Sequence, residues 1–274
     1  MKDQFVIAYL GDLSMAQEVV SHACYLSKML RKGIILLYVE DPKFHGPSTD
    51  EAAIRIQEIE RAHPDINPSH VILQGSTRLI VDALPTRLNG VIAVAGINAH
   101  AQRHSPTHPR QVLRTFAQCK IAYVTVQAPL QGCYRQVDFG IDFRKESKEK
   151  LIWASYFARF NNSRLNMLHF DYRDEGLRTK WNNNVRFMDK FFRNVGVNYN
   201  QQTVIGRALF PETVICQTAE HNGSDLLISV TTDTRDLDII EWFAGVAEQR
   251  TIRNASRLPI LYLNPRDDIY VLCD

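Results

Sequence analysis

The chain has 274 residues, 45% of them hydrophobic, 23% charged and 9% aromatic, which suits one large or two small globular domains and excludes disordered, collagenous and low-complexity classes. Its 32 basic residues stand against 30 acidic ones, and a net charge of +2 gives no electrostatic case for nucleic acid or an anionic membrane as partner. No apolar run approaches the roughly 18–20 residues of a bilayer span, the opening MKDQFVIAYLGDLS has no signal-peptide cleavage site, and five scattered cysteines argue against a disulfide framework or a Cys-based zinc site. A cytoplasmic, thiol-reducing setting is the expectation.

In chain order, Phe5–Leu10 is a short apolar run of the kind a strand covered on both faces shows. Ser14 and Gln17 have capping-box spacing, Val19, Ala23, Leu26 and Leu30 form one helical face, and Gly33 is the expected helix stop. Strands are expected at Ile34–Val39, Val71–Leu73, Val91–Ala95 and Ile121–Val126, with helices near Asp50–His63 and Thr77–Leu88, the latter bent or ended by Pro85. After a Pro/Gly-bearing connection around Pro129–Gly132 the pattern restarts. Strands at Val137–Asp142, Leu165–His169, Thr203–Ile205, Asp225–Val230 and Pro259–Leu263 alternate with helices opening at Ser147, through Trp181–Phe192, near Glu212–Glu220 and over 237–254. Corresponding residues recur at similar offsets: Leu10 to Asp142 is 132 positions and Gly75 to Gly206 is 131. Two α/β units follow, 1–130 and 134–274. Each is a doubly wound five-stranded parallel sheet flanked by helices with right-handed crossovers.

Ligands of such sheets bind beyond the carboxyl ends of the strands, where strand order reverses. The common phosphate loops, the nucleophile-elbow serine and the HExxH zinc motif are all absent, which points away from a standard enzyme.

The element order resembles the universal stress protein family, here as a tandem pair. The resemblance is carried by the last helix and strand of each unit (Val112–Val124 and Gly245–Leu261), by Gly75 and Gly206 after the third strand, and by Asp142 at the acidic position of the opening strand's turn. It implies an adenine nucleotide alpha hydrolase-like fold and a stress-response binding or signalling module. Its ATP-binding branch wraps the phosphates with a loop G-x2-G-x9-G-[ST], because glycine lets backbone N–H groups approach phosphate oxygens beside a helix N-terminus. Here Gly96 keeps the first position but Ala99, Pro106 and Thr107 occupy the others, so the first unit is expected to be degenerate.

In the second unit Gly245 is retained and the other loop glycines are not. Asp142 and His169, with Thr231, Thr232, Thr234, Arg235 and Gly245, are the residues that would hold a ligand, Arg and Thr side chains replacing backbone donors at a phosphate. ATP or another adenine nucleotide, or another phosphorylated small molecule, is the ligand class the resemblance implies. The alternative for the same residues is a solvated loop with Asp142 satisfied by neighbouring backbone N–H groups. No catalytic residue and no metal are assigned: His100, His104 and His108 have a spacing of four, but Pro106 and Pro109 break the helix that would align them. A ligand-free interaction scaffold, with a protein partner or a homodimer, is the rival function. A weak ATP hydrolase using Asp142 or His169 is the third. Cys119 reads as a small buried packing residue, and the apolar tail Ile269–Cys273 as an added edge strand or a dimerisation segment.

Overall fold

A computed structural model of the chain describes residues 3–205, 211–231 and 257–265. By internal contacts it divides into two compact units, Met1–Gly132 and Cys133–Asp274.

The first unit runs β1 (Phe5–Tyr9), α1 (Ala16–Leu30), β2 (Gly33–Glu40), α2 (Thr49–Ala62), β3 (Ser69–Gln74), α3 (Thr77–Asp82), α4 (Leu84–Arg87), β4 (Gly90–Gly96), α5 (Pro109–Phe116) and β5 (Ala122–Val126). Its strands lie in the order β3-β2-β1-β4-β5, and every adjacent pair is parallel. The second unit runs β6 (Gln136–Gly140), α6 (Lys150–Asn161), β7 (Arg164–Phe170), α7 (Glu175–Asn194), β8 (Tyr199–Val204), α8 (Pro211–His221), β9 (Leu226–Val230) and β10 (Ile260–Leu263). Its order, β8-β7-β6-β9-β10, is the same topology again, also parallel throughout. The doubly wound α/β reading of the sequence is what the structure has. Strand order reverses between β1 and β4 and between β6 and β9, so each unit has a crevice beyond the carboxyl ends of that pair.

The continuous apolar runs have their cause in two-sided burial. All of Ile34–Val39 in β2, and Val6, Ile7 and Ala8 in β1, are buried. α2 starts on a capping box in which the Ser48 hydroxyl accepts from Glu51 N (3.3 Å) and the Glu51 carboxylate accepts from Ser48 N (3.1 Å). Pro85 does end α3, with a second short helix beginning at Leu84.

Three local expectations are corrected. Ser14 and Gln17 form no capping box: α1 begins at Ala16, and the Ser14 hydroxyl and amide instead donate to Asp12. Its last turn closes on Arg31 in the left-handed conformation (φ 55°), while Gly33 is already the first residue of β2. Third, the repeat offset at the first strand is 131, not 132. Leu10 N donates to Leu37 O and Ile141 N to Leu168 O in the same position, so Gly11, not Leu10, corresponds to Asp142. The first unit's carboxylate sits one residue later, at Asp12.

Candidate functional site

In the first unit the crevice is filled by the chain itself. Gly96 ends β4 against the start of α1 so closely that a Cβ there would lie 2.3 Å from Met15 Cβ. Gly11, at φ +58°, meets Thr107 of the loop after β4, whose Cγ2 would be 3.1 Å from an added Cβ. That loop is fixed to the β1 turn, because the Ser105 hydroxyl donates to Asp12 Oδ2 (3.0 Å) and lies 2.8 Å from Thr107 Oγ1. Asp12 Oδ1 already accepts from the Ser14 hydroxyl (2.5 Å) and amide (3.1 Å). Of the three loop histidines, His100 and His104 are exposed, and His108 caps α5 by accepting from Arg110 N (3.2 Å).

In the second unit the same position holds charge. Asp142 follows β6 by two residues and is buried (8% exposed). Its Oδ1 accepts from Arg144 N (2.9 Å) and the Ser147 hydroxyl (2.5 Å), and its Oδ2 from Arg144 Nε (2.7 Å), with Arg144 Nη2 at 2.6 Å. The Arg144 guanidinium reaches on to Glu212 Oε1 at the start of α8 (2.8 Å). Asn184 of α7 donates to the carbonyls of both Asp142 and Arg144 (2.8 Å each) and so fixes the turn. Lys150, the first residue of α6, is buried and donates to the Gly140 carbonyl at 2.5 Å. By the 131-residue offset it stands where α1 has Val19, which packs over Gly96.

Electrostatics follow from this packing. Burial alone would raise the Asp142 carboxyl, but the Lys150 and Arg144 charges and the Ser147 hydroxyl hold it below the usual carboxylate range. Burial pushes the Lys150 ammonium down to about 8, with Asp142 pulling the other way. One buried and one half-buried cation, Lys150 and Arg144, thus meet two carboxylates at the point where the strand order reverses.

Among solved structures, a universal stress protein from Archaeoglobus fulgidus superimposes at a TM-score of 0.70, with 13% identity over 96% of this chain and 97% of that one. The fold is that of a tandem universal stress protein. A putative universal stress protein from Pseudomonas aeruginosa matches at TM-score 0.64, 10% identity and 98% and 96% coverage. The cytoplasmic domain of a prokaryotic cation chloride cotransporter matches at TM-score 0.58, 11% identity and 97% and 96% coverage. No protein-family model matches the sequence, and no curated protein does. Among the described residues no helix is long and apolar enough to cross a membrane.

Within this fold, three of the sequence-expected ligand residues are described, and no hydrogen bond joins them to one another. Asp142 has both carboxylate oxygens engaged, as above. His169 lies within β7, buried and stacked on Trp181 (4.6 Å between centroids). Its Nδ1 sits 3.1 Å from the Phe170 carbonyl, which only an N–H can face, so Nε2 is the acceptor for the Gln201 amide at 2.9 Å. Thr231 is tied to the end of β10, its amide donating to Leu263 O (2.8 Å) and its hydroxyl to Asn264 Oδ1 (2.8 Å). Thr232, Thr234, Arg235 and Gly245 lie outside the described residues, as do the helix expected over 237–254 and the apolar tail.

Sequence reading missed Arg144, Ser147, Lys150, Asn184 and Glu212. Lys150 carried a usable signal: it lies four residues before Ala154 and seven before Phe157, on the face that α6 buries, where a lone lysine has no bland explanation.

Proposed function

We propose that the second unit is a binding module for a phosphorylated small molecule, with adenine nucleotides the leading class, acting in the cytoplasm as a stress-response sensor. The observation that carries the reading is Lys150, a buried cation of lowered basicity beside Asp142 and Arg144 at the β6/β9 crevice, where the first unit has only Val19. Burying an ammonium is costly unless its charge is used, and a phosphate arriving at this crevice would use it. Asp142 then acts as the residue that positions Arg144 and offsets the Lys150 charge, because its own oxygens are taken. The first unit, closed by Met15 and Thr107, is a degenerate copy that supports the fold. No residue is assigned a catalytic role. The complete pairing of Asp142 favours a second reading, a ligand-free scaffold that works through a protein partner or a second copy of itself.

Thermal unfolding followed by tryptophan fluorescence, with and without millimolar ATP–Mg, AMP or inorganic phosphate, separates the two. All three tryptophans (Trp153, Trp181, Trp242) lie in the second unit. A ligand at 100 times its Kd stabilises by about 2.7 kcal/mol, which raises the midpoint by several degrees in a domain of this size. The binding reading expects such a shift with at least one probe, and its loss in Lys150→Met. No shift with any probe leaves the scaffold.

A further inference from the structure

Strand β6 buries a second carboxylate, one that the β6/β9 crevice does not use. Asp138 lies two residues before Gly140, where an added Cβ would lie 2.7 Å from Ile215 Cδ1. Residues two apart in a strand share a face, so Asp138 is on the side of the sheet that α8 covers. It is fully buried (0% exposed) and sits toward the amino ends of the strands, away from the crevice. Its surroundings are polar and neutral. Asn222, just past α8, gives one amide hydrogen to Asp138 Oδ2 (3.0 Å) and one to Gln202 Oε1 (2.8 Å), and Gln202 donates back to Asn222 Oδ1 (3.4 Å). Asn166 in β7 donates to the same two oxygens, at 3.4 and 3.0 Å. Gln136 donates to Ser224 Oγ (3.3 Å) and to the Asn222 carbonyl (3.4 Å). Burial raises the Asp138 carboxyl, and Asn222, Ser224, Asn166 and Gln136 offset that only in part.

The amide hydrogens of Asn166, Asn222 and Gln136 are thereby spent, while acceptors are left over. Among the described residues nothing donates to Asp138 Oδ1, to Asn166 Oδ1 or to Gln136 Oε1, and no Lys or Arg pairs with Asp138. The first unit shows that the fold does not need this cluster. Strand pairing sets Phe5, Ile7 and Ile35 at the positions of Gln136, Asp138 and Asn166, and Val71 at that of Gln202. Leu88 stands four residues before Ile92, the partner of Val6, as Asn222 stands before Leu226, the partner of Val137. An apolar corner in one repeat is thus a carboxylate ringed by carboxamides in the other. Burying that charge is costly unless it is compensated. A proton would fill one of the spare acceptors, whereas a cation fills several at once. A single carboxylate among neutral groups balances one positive charge, and a divalent ion would leave an excess buried.

We propose that this cluster is a binding site for one monovalent metal cation, sodium or potassium, held by Asp138 Oδ1 together with the carboxamide oxygens of Asn166 and Gln136. The bound ion stabilises the corner where α8 meets β6 and β7, independently of any ligand at the crevice.

The test is thermal unfolding of the full chain at neutral pH while sodium or potassium chloride replaces tetramethylammonium chloride at constant ionic strength. The wild-type midpoint should rise by a few degrees with at least one of the two metals and then saturate. Asp138→Asn should show no such rise. On the unaltered chain, sodium NMR should show line broadening that potassium reverses, a readout that does not depend on how the variant folds. An equal rise in Asp138→Asn would make the effect a general one of salt and overturn the proposal. So would a midpoint that neither metal moves together with an unbroadened sodium line, which would leave a proton or water at Asp138 Oδ1.

Discussion

Replacing Asp142 with asparagine keeps the shape of the side chain and removes its charge. The structure fixes what that change should do without any ligand. Arg144 loses a paired carboxylate at 2.6–2.7 Å, the Ser147 hydroxyl loses a charged acceptor at 2.5 Å, and buried Lys150 loses its main compensating charge. Removing one partner of a buried ion pair costs about 3–5 kcal/mol. The low end applies here, because the Arg144 side chain keeps 33% of its exposure and retains Glu212 at 2.8 Å. A loss of about 3 kcal/mol corresponds to a midpoint lowered by roughly 6–12 °C at 2–4 °C per kcal/mol. Urea unfolding followed by tryptophan fluorescence reads it as a lower midpoint with an unchanged m value. Because the depressed Asp142 carboxyl contributes stability above its unfolded value and loses it as pH falls through its folded one, the wild-type advantage should fade on acidification below about pH 4. A loss under 1 kcal/mol at neutral pH, or one independent of pH, would refute the view of Asp142 as the centre of this ion cluster.

Three further outcomes follow from single residues. Lys150 is lowered from 10.5 to about 8, so between those values the unfolded chain holds the extra proton and stability should rise with pH; Lys150→Met should abolish that rise in denaturant midpoints taken from pH 7.5 to 10. Asp138 in β6 is fully buried, its carboxyl raised by burial despite Asn222 (3.0 Å) and Asn166 (3.4 Å), and its Oδ1 lacks a partner among the described residues. Its stabilising protonated form is lost as pH rises above the carboxylate range, so Asp138→Asn should gain on the order of 1 kcal/mol at pH 7 and nothing at pH 3. Gly96→Ala forces a Cβ onto Met15 and should cost about 1–3 kcal/mol by overpacking; an unchanged unfolding midpoint would mean that the first crevice has room after all.

The fold was legible because burial on both faces of a parallel strand leaves an unbroken apolar run. Val6–Ala8, Ile34–Val39 and Val91–Ala95 could be placed from composition alone. Helix ends were less so. Ser14 and Gly33 match the residue types of a cap and a stop, but competing local geometry decided otherwise: Ser14 is held by Asp12 two residues earlier, and Arg31 accepts the left-handed turn. The site was only partly legible. Asp142 is recognisable from its place after a strand, while its partners come from positions 144, 147, 150, 184 and 212, brought together by three helices and a turn. His169 has the residue type of an acid–base group, yet stacking on Trp181 and bonds to Phe170 and Gln201 give it a structural environment that sequence position does not reveal.

The two repeats have diverged, the first closing its crevice and the second keeping charge at the same position. Hydrogen–deuterium exchange of the full chain, with and without saturating ATP–Mg or inorganic phosphate, reads this divergence because it resolves the two units in one sample. Added protection is expected in peptides spanning 141–155, with those spanning 10–20 and 96–108 unchanged. Protection confined to the first unit's peptides would contradict it, and so would protection in neither.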